Sequence, residues 1–212
     1  MTPERLEKFH RVVAQRQNNL TVIIENVHDP HNIGAVLRSC DSIGIMEVYV
    51  LNTEDHLKDK DLYLGKRTTS GSRKWVDVQF YTDVNACFKA VKSKYDLVLA
   101  THLDEAAKGL YELDLCQSIA LLFGNEHAGI SKEALSYCDG NFIIPQMGMV
   151  ESLNISVACA VTLYEALRQR KAAGFYDANA PLSAKEQAEL LKEYTHRHVT
   201  KPQREYISKI ND

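Results

Sequence analysis

Four stretches of this chain are apolar almost without interruption and end abruptly in polar or glycine residues: Leu20 to Glu25 (LTVIIE), Ile45 to Leu51, Asp96 to Ala100 (DLVLA) and Ser118 to Phe123 (SIALLF). Strands of this kind are buried on both faces, whereas a strand with one wet face alternates apolar and polar residues. Trp75 to Tyr81, which alternates, and the short Phe142 to Ile144 add a fifth and a sixth strand. Segments of helical period lie between them: Asn32 to Ile43 with Asn32 as its N-cap, Val84 to Val91, Ser131 to Tyr137, and Ser152 to Glu165. Strand and helix in alternation give an α/β fold, a mostly parallel sheet covered by helices on both faces. In such sheets ligands bind beyond the carboxyl ends of the strands. Four segments carry polar or glycine residues directly after a buried strand: Asn26–Asn32, Thr101–Leu103, Gly124–Gly129 and Pro145–Asn154. Their convergence on one sheet edge would make a site.

Outside the repeat, Pro3 to Gln17 reads as a helix and Ser183 to His198 as a second, opened by the capping box Ser183…Glu186. Asn52 to Gly65 reads as a polar loop with a helical turn, Leu103 to Leu115 as irregular, and Gly174 to Pro181 as a break. The 212 residues therefore make one domain with appendages. The net charge of −3 is unevenly spread. Residues 1–19 carry four Lys/Arg against two Asp/Glu, residues 165–212 nine against seven, and the middle twelve against nineteen. An excess this small on each flank fits either a phosphate contact surface or two solvated helices. The run Lys66 to Lys74 (KRTTSGSRK) has the basic and hydroxyl groups that suit phosphates, and equally those of a soluble loop.

Several classes are excluded. No run is long and apolar enough to span a membrane. Charges stand where a signal peptide needs an apolar core, so a cytoplasmic protein is expected. The five cysteines are scattered without a CxxC pair, and Cys40 and Cys159 fall in apolar helical patterns, as core residues do. There is no GxGxxG after the first strand, no P-loop and no nucleophile elbow. The eight histidines show no metal spacing; His28 and His31 would pair only with a third ligand and otherwise read as turn residues, so no metal is expected.

Two features point to chemistry. In FIIPQMGMVESLNISVACAVTLYE, Phe142 to Glu165, a strand stops at Pro145 and a helix that is apolar nearly all round follows a loop carrying Ser152 and Asn154. Small polar groups at a helix N-terminus cap its N–H groups or help it hold a ligand. Arg38 interrupts the apolar character of its helix; it is either a phosphate clamp or an arginine paired with Asp41 or Glu25. Glu126, in a glycine-flanked loop, would orient a ligand or cap the Ser131 helix.

Three segments, in order and each after a strand, resemble the SPOUT superfamily of RNA methyltransferases, of the TrmH type that methylates ribose 2′-hydroxyls. They are Asn26-x-x-x-Pro30-x-Asn32-x-Gly34-Ala35-x-x-Arg38, Leu121-Leu122-Phe123-Gly124-Asn125-Glu126-x-x-Gly129-Ile130, and Ile144-Pro145-x-x-Gly148-x-Val150-x-Ser152-Leu153-Asn154-x-Ser156-x-Ala158. The resemblance covers about residues 20–165, and the flanking helices also resemble the tRNA Gm-methyltransferase branch. It implies a knotted methyltransferase domain over 20–172, with a C-terminal deep trefoil knot, between helical RNA-contacting extensions at 1–19 and 173–212. It implies S-adenosylmethionine as cofactor, bound in the knot, and an obligate homodimer with the active site at the interface. The expected substrate is tRNA, at guanosine 18 of the D-loop, because no extra N-terminal domain of the rRNA ribose methyltransferases precedes the first strand and both flanks exceed those of the minimal wobble-position enzymes.

The same resemblance implies roles. Arg38 would act on the ribose 2′-OH with an RNA phosphate; an arginine keeps its proton at neutral pH, so positioning is the role its chemistry supports. Asn32 would orient Arg38 or the ribose, and Glu126, Ser152 and Asn154 would complete the site. Thr101, Leu103, Gly124, Ile144 and Leu153 would hold the cofactor, mainly through backbone groups. Arg11, Arg16, Arg168, Arg170, Lys66 and Arg67 would bind RNA phosphates. The alternatives are the same chemistry on rRNA or at another tRNA position, a non-catalytic RNA-binding protein of this fold, and an α/β small-molecule binder.

Overall fold

The computed structural model of the chain describes residues 1–58 and 71–199. Lys66 and Arg67 lie outside the described residues. Seven strands form one sheet: β1 (Leu20–Glu25), β2 (Glu47–Leu51), β3 (Asp77–Tyr81), β4 (Leu97–Thr101), β5 (Lys108–Gly109), β6 (Ile119–Phe123) and β7 (Gly140–Ile143). Their order is β3-β2-β1-β6-β4-β7-β5, and every pairing between them is parallel. The two-residue β5 occupies the stretch expected to be irregular: Lys108 and Gly109 add to the edge of β7. A two-residue edge strand shows no hydrophobic periodicity, which is why the sequence hides it.

The helices are α1 (Pro3–Ala14), α2 (Pro30–Ile43), a single turn α3 (Asp55–Lys58), α4 (Val84–Lys92), a short α5 (Lys132–Leu135), α6 (Ile155–Ala172) and α7 (Ala184–Val199). Alternate residues of each strand face opposite layers. On β1, Leu20, Val22 and Ile24 join a core with Ile33, Val36, Leu37 and Cys40 of α2 and Ile155, Cys159, Leu163 and Ala166 of α6. Ile23 of β1 turns the other way and packs with Val84, Cys87, Phe88 and Val91 of α4 and Ala134 of α5. The sheet is thus covered on both faces. Burial pushes the Cys40 thiol well above its usual range, as suits the core role expected of it. Among the described residues no helix is long and apolar enough to cross a membrane.

A third, smaller cluster joins the two flanking helices: Val13 of α1 with Leu190 and Tyr194 of α7. Phe9 lies 5.5 Å from Trp75 and 6.5 Å from Tyr194, ring centre to ring centre. The capping box of α7 forms as expected, with Ser183 N–H donating to Glu186 at 2.7 Å and Glu186 N–H to Ser183 Oγ at 3.3 Å.

Three helix assignments need correction. α2 begins at Pro30, and its N-cap is Asp29, whose carboxylate accepts the His31 N–H at 2.8 Å. Proline loses nothing at the first helical position, where its missing N–H would have no partner. Asn32 is therefore inside the first turn, and its side chain is free for other bonds. Second, α6 starts at Ile155 with Asn154 as its cap and runs to Ala172. It is not buried all round: Ile155, Cys159, Leu163 and Ala166 face the core, while Val157 and Tyr164 are about half exposed (46% and 54%). Third, α1 ends at Ala14, before Arg16 and Gln17. Gly44 closes α2 at φ +93, where a Cβ would lie 2.5 Å from the Gln15 carbonyl oxygen, so this stop requires glycine.

Candidate functional site

The four strands whose ends carry the polar segments, β1, β6, β4 and β7, are neighbours in that order, and all run the same way. Their C-terminal ends therefore form one continuous edge. The convergence expected from the sequence is met, because a parallel sheet puts every strand's carboxyl end on the same side.

At this edge three side chains from three segments join. Asn154, the cap of α6, donates from Nδ2 to Asn32 Oδ1 at 3.1 Å. Asn32, in the first turn of α2, donates from Nδ2 to Glu126 Oε1, in the loop after β6. Asn154 Oδ1 is fixed in turn by Ser156, whose N–H and Oγ–H donate to it at 2.9 and 2.6 Å. The amide orientations follow from this chain of donors: the one anion stands at the end, accepting. All three residues remain partly or fully accessible, so the polar row lies at the surface of the edge.

Beneath it lies a buried support that the sequence reading did not single out. Asn26 follows β1 at φ +51, a left-handed conformation that asparagine tolerates better than most residues. Its Oδ1 accepts from Thr53 N–H at 2.8 Å and Glu54 N–H at 3.3 Å, which ties the loop after β1 to that after β2. Its carbonyl accepts from Asn125 Nδ2 at 2.8 Å, and Asn125 Oδ1 accepts the His127 and Ala128 N–H groups at 2.8 and 3.0 Å. Glu25, fully buried, accepts from Ser131 N–H at 2.9 Å and Ser131 Oγ at 2.6 Å. Ser131 itself caps α5, so Glu126 has no capping task there. The loop bearing Glu126 is thus held at both ends. Asn26, Asn125 and Ser156 lie inside the quoted motifs, and their polarity next to buried strands was the available signal.

The residues expected to hold the cofactor spread over the same edge. Thr101 ends β4 and donates to the Leu122 carbonyl at 3.2 Å. Gly124 follows β6; a Cβ there would lie 2.4 Å from the Gly129 carbonyl group. Only glycine permits that approach, which closes the loop through paired Asn125 and Gly129 backbone bonds of 3.0 and 2.9 Å. Ile144 and Leu153 are half-buried, and Leu103 is 76% exposed. Apolar side chains and backbone groups at strand ends suit a ligand with a flat apolar ring system and several hydrogen-bonding groups. Ser152 is exposed and makes no hydrogen bond among the described residues.

Arg38 is exposed and forms no ion pair among the described residues; Asp41 bonds Arg16 instead, at 2.7 Å, and Glu25 bonds Ser131. Six residues separate Arg38 from Asn32, about 9 Å along the helix and roughly 120° around it. Arg38 therefore does not join the asparagine row within this chain.

Two of the arginines expected to meet RNA are buried, and that expectation is corrected. Arg16, 1% exposed, donates to the Ile45 carbonyl at 3.1 Å and the Trp75 carbonyl at 3.3 Å besides Asp41. Arg170, fully buried, donates to Leu115 O, Gln17 Oε1, Asn19 Oδ1, Asn19 O and Gln117 O at 2.6–3.2 Å. Its burial lowers its pKa to about 10. Both guanidiniums are structural clamps: Arg170 bonds protein through Nε and both terminal nitrogens, Arg16 through its two terminal nitrogens. A helical period places a cation on a face but does not reveal what covers that face. Arg11 is exposed, and Arg168 is exposed but paired with Glu165 at 2.7 Å.

Comparison with known proteins gives concordant results. The model of the "SpoU rRNA Methylase family" matches residues 19–164. The tRNA (guanosine(18)-2′-O)-methyltransferase of Thermus thermophilus is 43% identical over 176 residues, covering 83% of this chain and 88% of that protein. The crystal structure of the TrmH/SpoU tRNA modifying enzyme of A. aeolicus superposes with a TM-score of 0.82 at 33% identity, over 93% of this chain and 98% of that one. The SpoU methyltransferase AviRb from Streptomyces viridochromogenes, solved with the cofactor AdoMet, gives 0.64 at 29% identity, over 74% of this chain and 59% of its own.

Proposed function

We propose a function from one premise: this chain belongs to the SpoU rRNA methylase family, whose model spans its sheet from β1 to most of α6. It transfers a methyl group from S-adenosylmethionine to a ribose 2′-hydroxyl of tRNA, that of guanosine 18. The observation that carries this reading is the Asn154–Asn32–Glu126 row at the C-terminal edge, which joins the three motif segments. The relatives bearing the guanosine-18 name match over most of both chains, which favours tRNA over rRNA.

The cofactor brings an electrophilic methyl on a sulfonium sulfur. The surroundings of Thr101, Leu103, Gly124, Ile144 and Leu153 suit its adenosine and methionine parts, with apolar contacts on the ring and backbone groups at the strand ends. What the chain must do is position a weak nucleophile. Asn32, Asn154 and Glu126 orient the ribose through a row already fixed by Ser156. Ser152 completes the donors, and Arg38 holds a phosphate beside the hydroxyl. Being protonated, Arg38 acts through charge and geometry.

Arg38 stands off the asparagine row, which supports a homodimer in which each site draws on both chains. Exposed apolar side chains support it too: Val157 and Tyr164 of α6, and Met147, Met149 and Val150 before it, 95%, 99% and 64% exposed. Such groups are rarely left in water together. The segment between β7 and α6 forms the trefoil knot of a 20–172 domain; support comes from α6 packing with α2 on the face of β1 while β7 lies beyond β4. Helical extensions at 1–19 and 173–212 carry RNA contacts, including exposed Arg11. The work is done in the cytoplasm, where tRNA is.

The test is methyl transfer from labelled S-adenosylmethionine to unmodified tRNA, wild type beside Arg38→Ala, with nucleoside analysis. 2′-O-methylguanosine in the D-loop from wild type alone supports the reading. Unlabelled tRNA with the cofactor still bound would remove tRNA as substrate and turn the assay to rRNA fragments.

A further inference from the structure

A cluster outside the proposed site has the makings of a metal centre. His28 lies in the loop after β1, Glu54 in the loop after β2, and His56 in the single turn α3 that follows. One nitrogen of each imidazole and a carboxylate oxygen all lie within 4.8 Å of one another, the one such group among the described residues. Glu54 Oε2 is 3.0 Å from His28 Nε2 and 3.5 Å from His56 Nδ1. Ligand bonds of about 2.0–2.1 Å put the corners of a tetrahedron about 3.3 Å apart. The two measured distances bracket that edge. The rings, 4.9 Å apart and nearly perpendicular, flank the carboxylate from two sides.

We propose that His28, Glu54 and His56 bind one divalent transition-metal ion, zinc foremost, with a fourth position open to water. The donor set selects the metal: two imidazoles and one carboxylate suit zinc, copper or nickel, whereas magnesium and calcium take oxygen ligands. The site is pre-organised. Asn26, two residues before His28, holds the Thr53 and Glu54 N–H groups on its side-chain oxygen, which fixes the two loops against each other. Supports of this kind orient ligands before the ion arrives. The side chains are 46%, 33% and 55% exposed, so an ion reaches them directly from solvent. Two neutral imidazoles, one carboxylate and a divalent ion carry one net positive charge. Loading thus reverses the local charge beside the proposed catalytic edge and staples the loop leading into α2. Spacing along the sequence hides this set, since its ligands come from two loops 26 residues apart. The inference is independent of the methyl-transfer reading.

The test uses the whole chain, stripped with chelator and titrated with zinc chloride by calorimetry, then with cobalt chloride followed by visible absorption. The expected result is one ion per chain, cobalt bands of a four- or five-coordinate centre, and a rise in melting temperature with zinc. His28→Gln and His56→Gln each weaken binding at least about tenfold, the loss already seen when mere supports of a metal ligand are removed. Because both histidines are exposed, the metal-free variants melt with the metal-free wild type. Magnesium produces no shift. Equal zinc binding by wild type and both variants would overturn the proposal, as would a wild-type chain that takes up no zinc and keeps only its His–Glu hydrogen bonds.

Discussion

Arg170 offers the sharpest test of the distinction between a clamp and an RNA contact. Replace it with methionine, which keeps much of its volume but none of its donors. The five acceptors on Leu115, Gln17, Asn19 and Gln117 are then left without the guanidinium. Each buried acceptor without a partner costs about 1–3 kcal/mol. Asn19 is half-buried and Gln117 exposed, so water replaces part of the loss there, and the sum is well below five full penalties. About 3–5 kcal/mol is the reasonable total, the range seen when one partner of a buried charged pair is removed. In a chain of this length each kcal/mol moves the melting temperature by about 2–4 °C, so a fall of roughly 6–20 °C is expected. Calorimetry reads that fall. RNA binding, measured well below the new melting point at several salt concentrations, keeps its salt slope. An arginine that contacted phosphate would behave in the opposite way: unchanged melting, and a slope reduced by about one. That second pattern would refute the structural assignment. Arg170→Lys recovers only part of the stability, because an ammonium cannot reach acceptors spread around a planar fork.

Two further outcomes follow from local geometry. Gly124→Ala drives a Cβ to 2.4 Å from the Gly129 carbonyl, so the loop must shift; the cost is about 1–3 kcal/mol in a melt, and cofactor affinity by calorimetry drops more than stability does. Glu165 has its carboxyl held below the usual range, first by its hydrogen bonds from Arg168. A depressed folded pKa contributes stability above the unfolded value, which is lost as pH falls through the folded one. Melting temperature of wild type minus that of Glu165→Gln should therefore shrink as pH falls below 4.5 and stay level above neutral.

The edge of the sheet was legible in the sequence for a simple reason. Buried parallel strands leave continuous apolar runs, and the polar residues that end them must lie on one side. Asn32, Glu126 and Asn154 were found in this way and through the motifs. What the sequence could not express was which neighbours covered a charge. Arg16 and Arg170 look like Arg11 in any helical projection, yet one pair is enclosed by carbonyls and the third faces water. Asn32 shows the converse. Read as a cap, it would have spent its side chain on α2; Asp29 and Pro30 take that task, and the freed amide becomes the centre of the row. His28 meets His56 in space, ring centres 4.9 Å apart, although His31 is the histidine near it in sequence.

The separation of Arg38 from Asn32 leads to a test of how the site is shared. Both sit on one rigid helix, about 9 Å apart in rise and roughly 120° in azimuth. No rotamer change turns one α2 so that Asn32 and Arg38 address the same ribose from the same direction. The proposed two-fold dimer would resolve this if its interface brought α2 of a second chain against the first, with equal and reciprocal contacts. Arg38 of one chain would then serve the asparagine row of the other. Arg38→Ala and Asn154→Ala each inactivate a homodimer, because every site lacks one group. Mix the two variants under conditions that exchange subunits. A mixed dimer has one site with both defects and one with none. Random pairing makes about half the dimers mixed, so roughly a quarter of wild-type methyl transfer should return. If Arg38 instead serves its own chain, each site of a mixed dimer keeps one defect and nothing returns. Recovery to a quarter, with size-exclusion chromatography showing dimers throughout, distinguishes a shared site from two private ones.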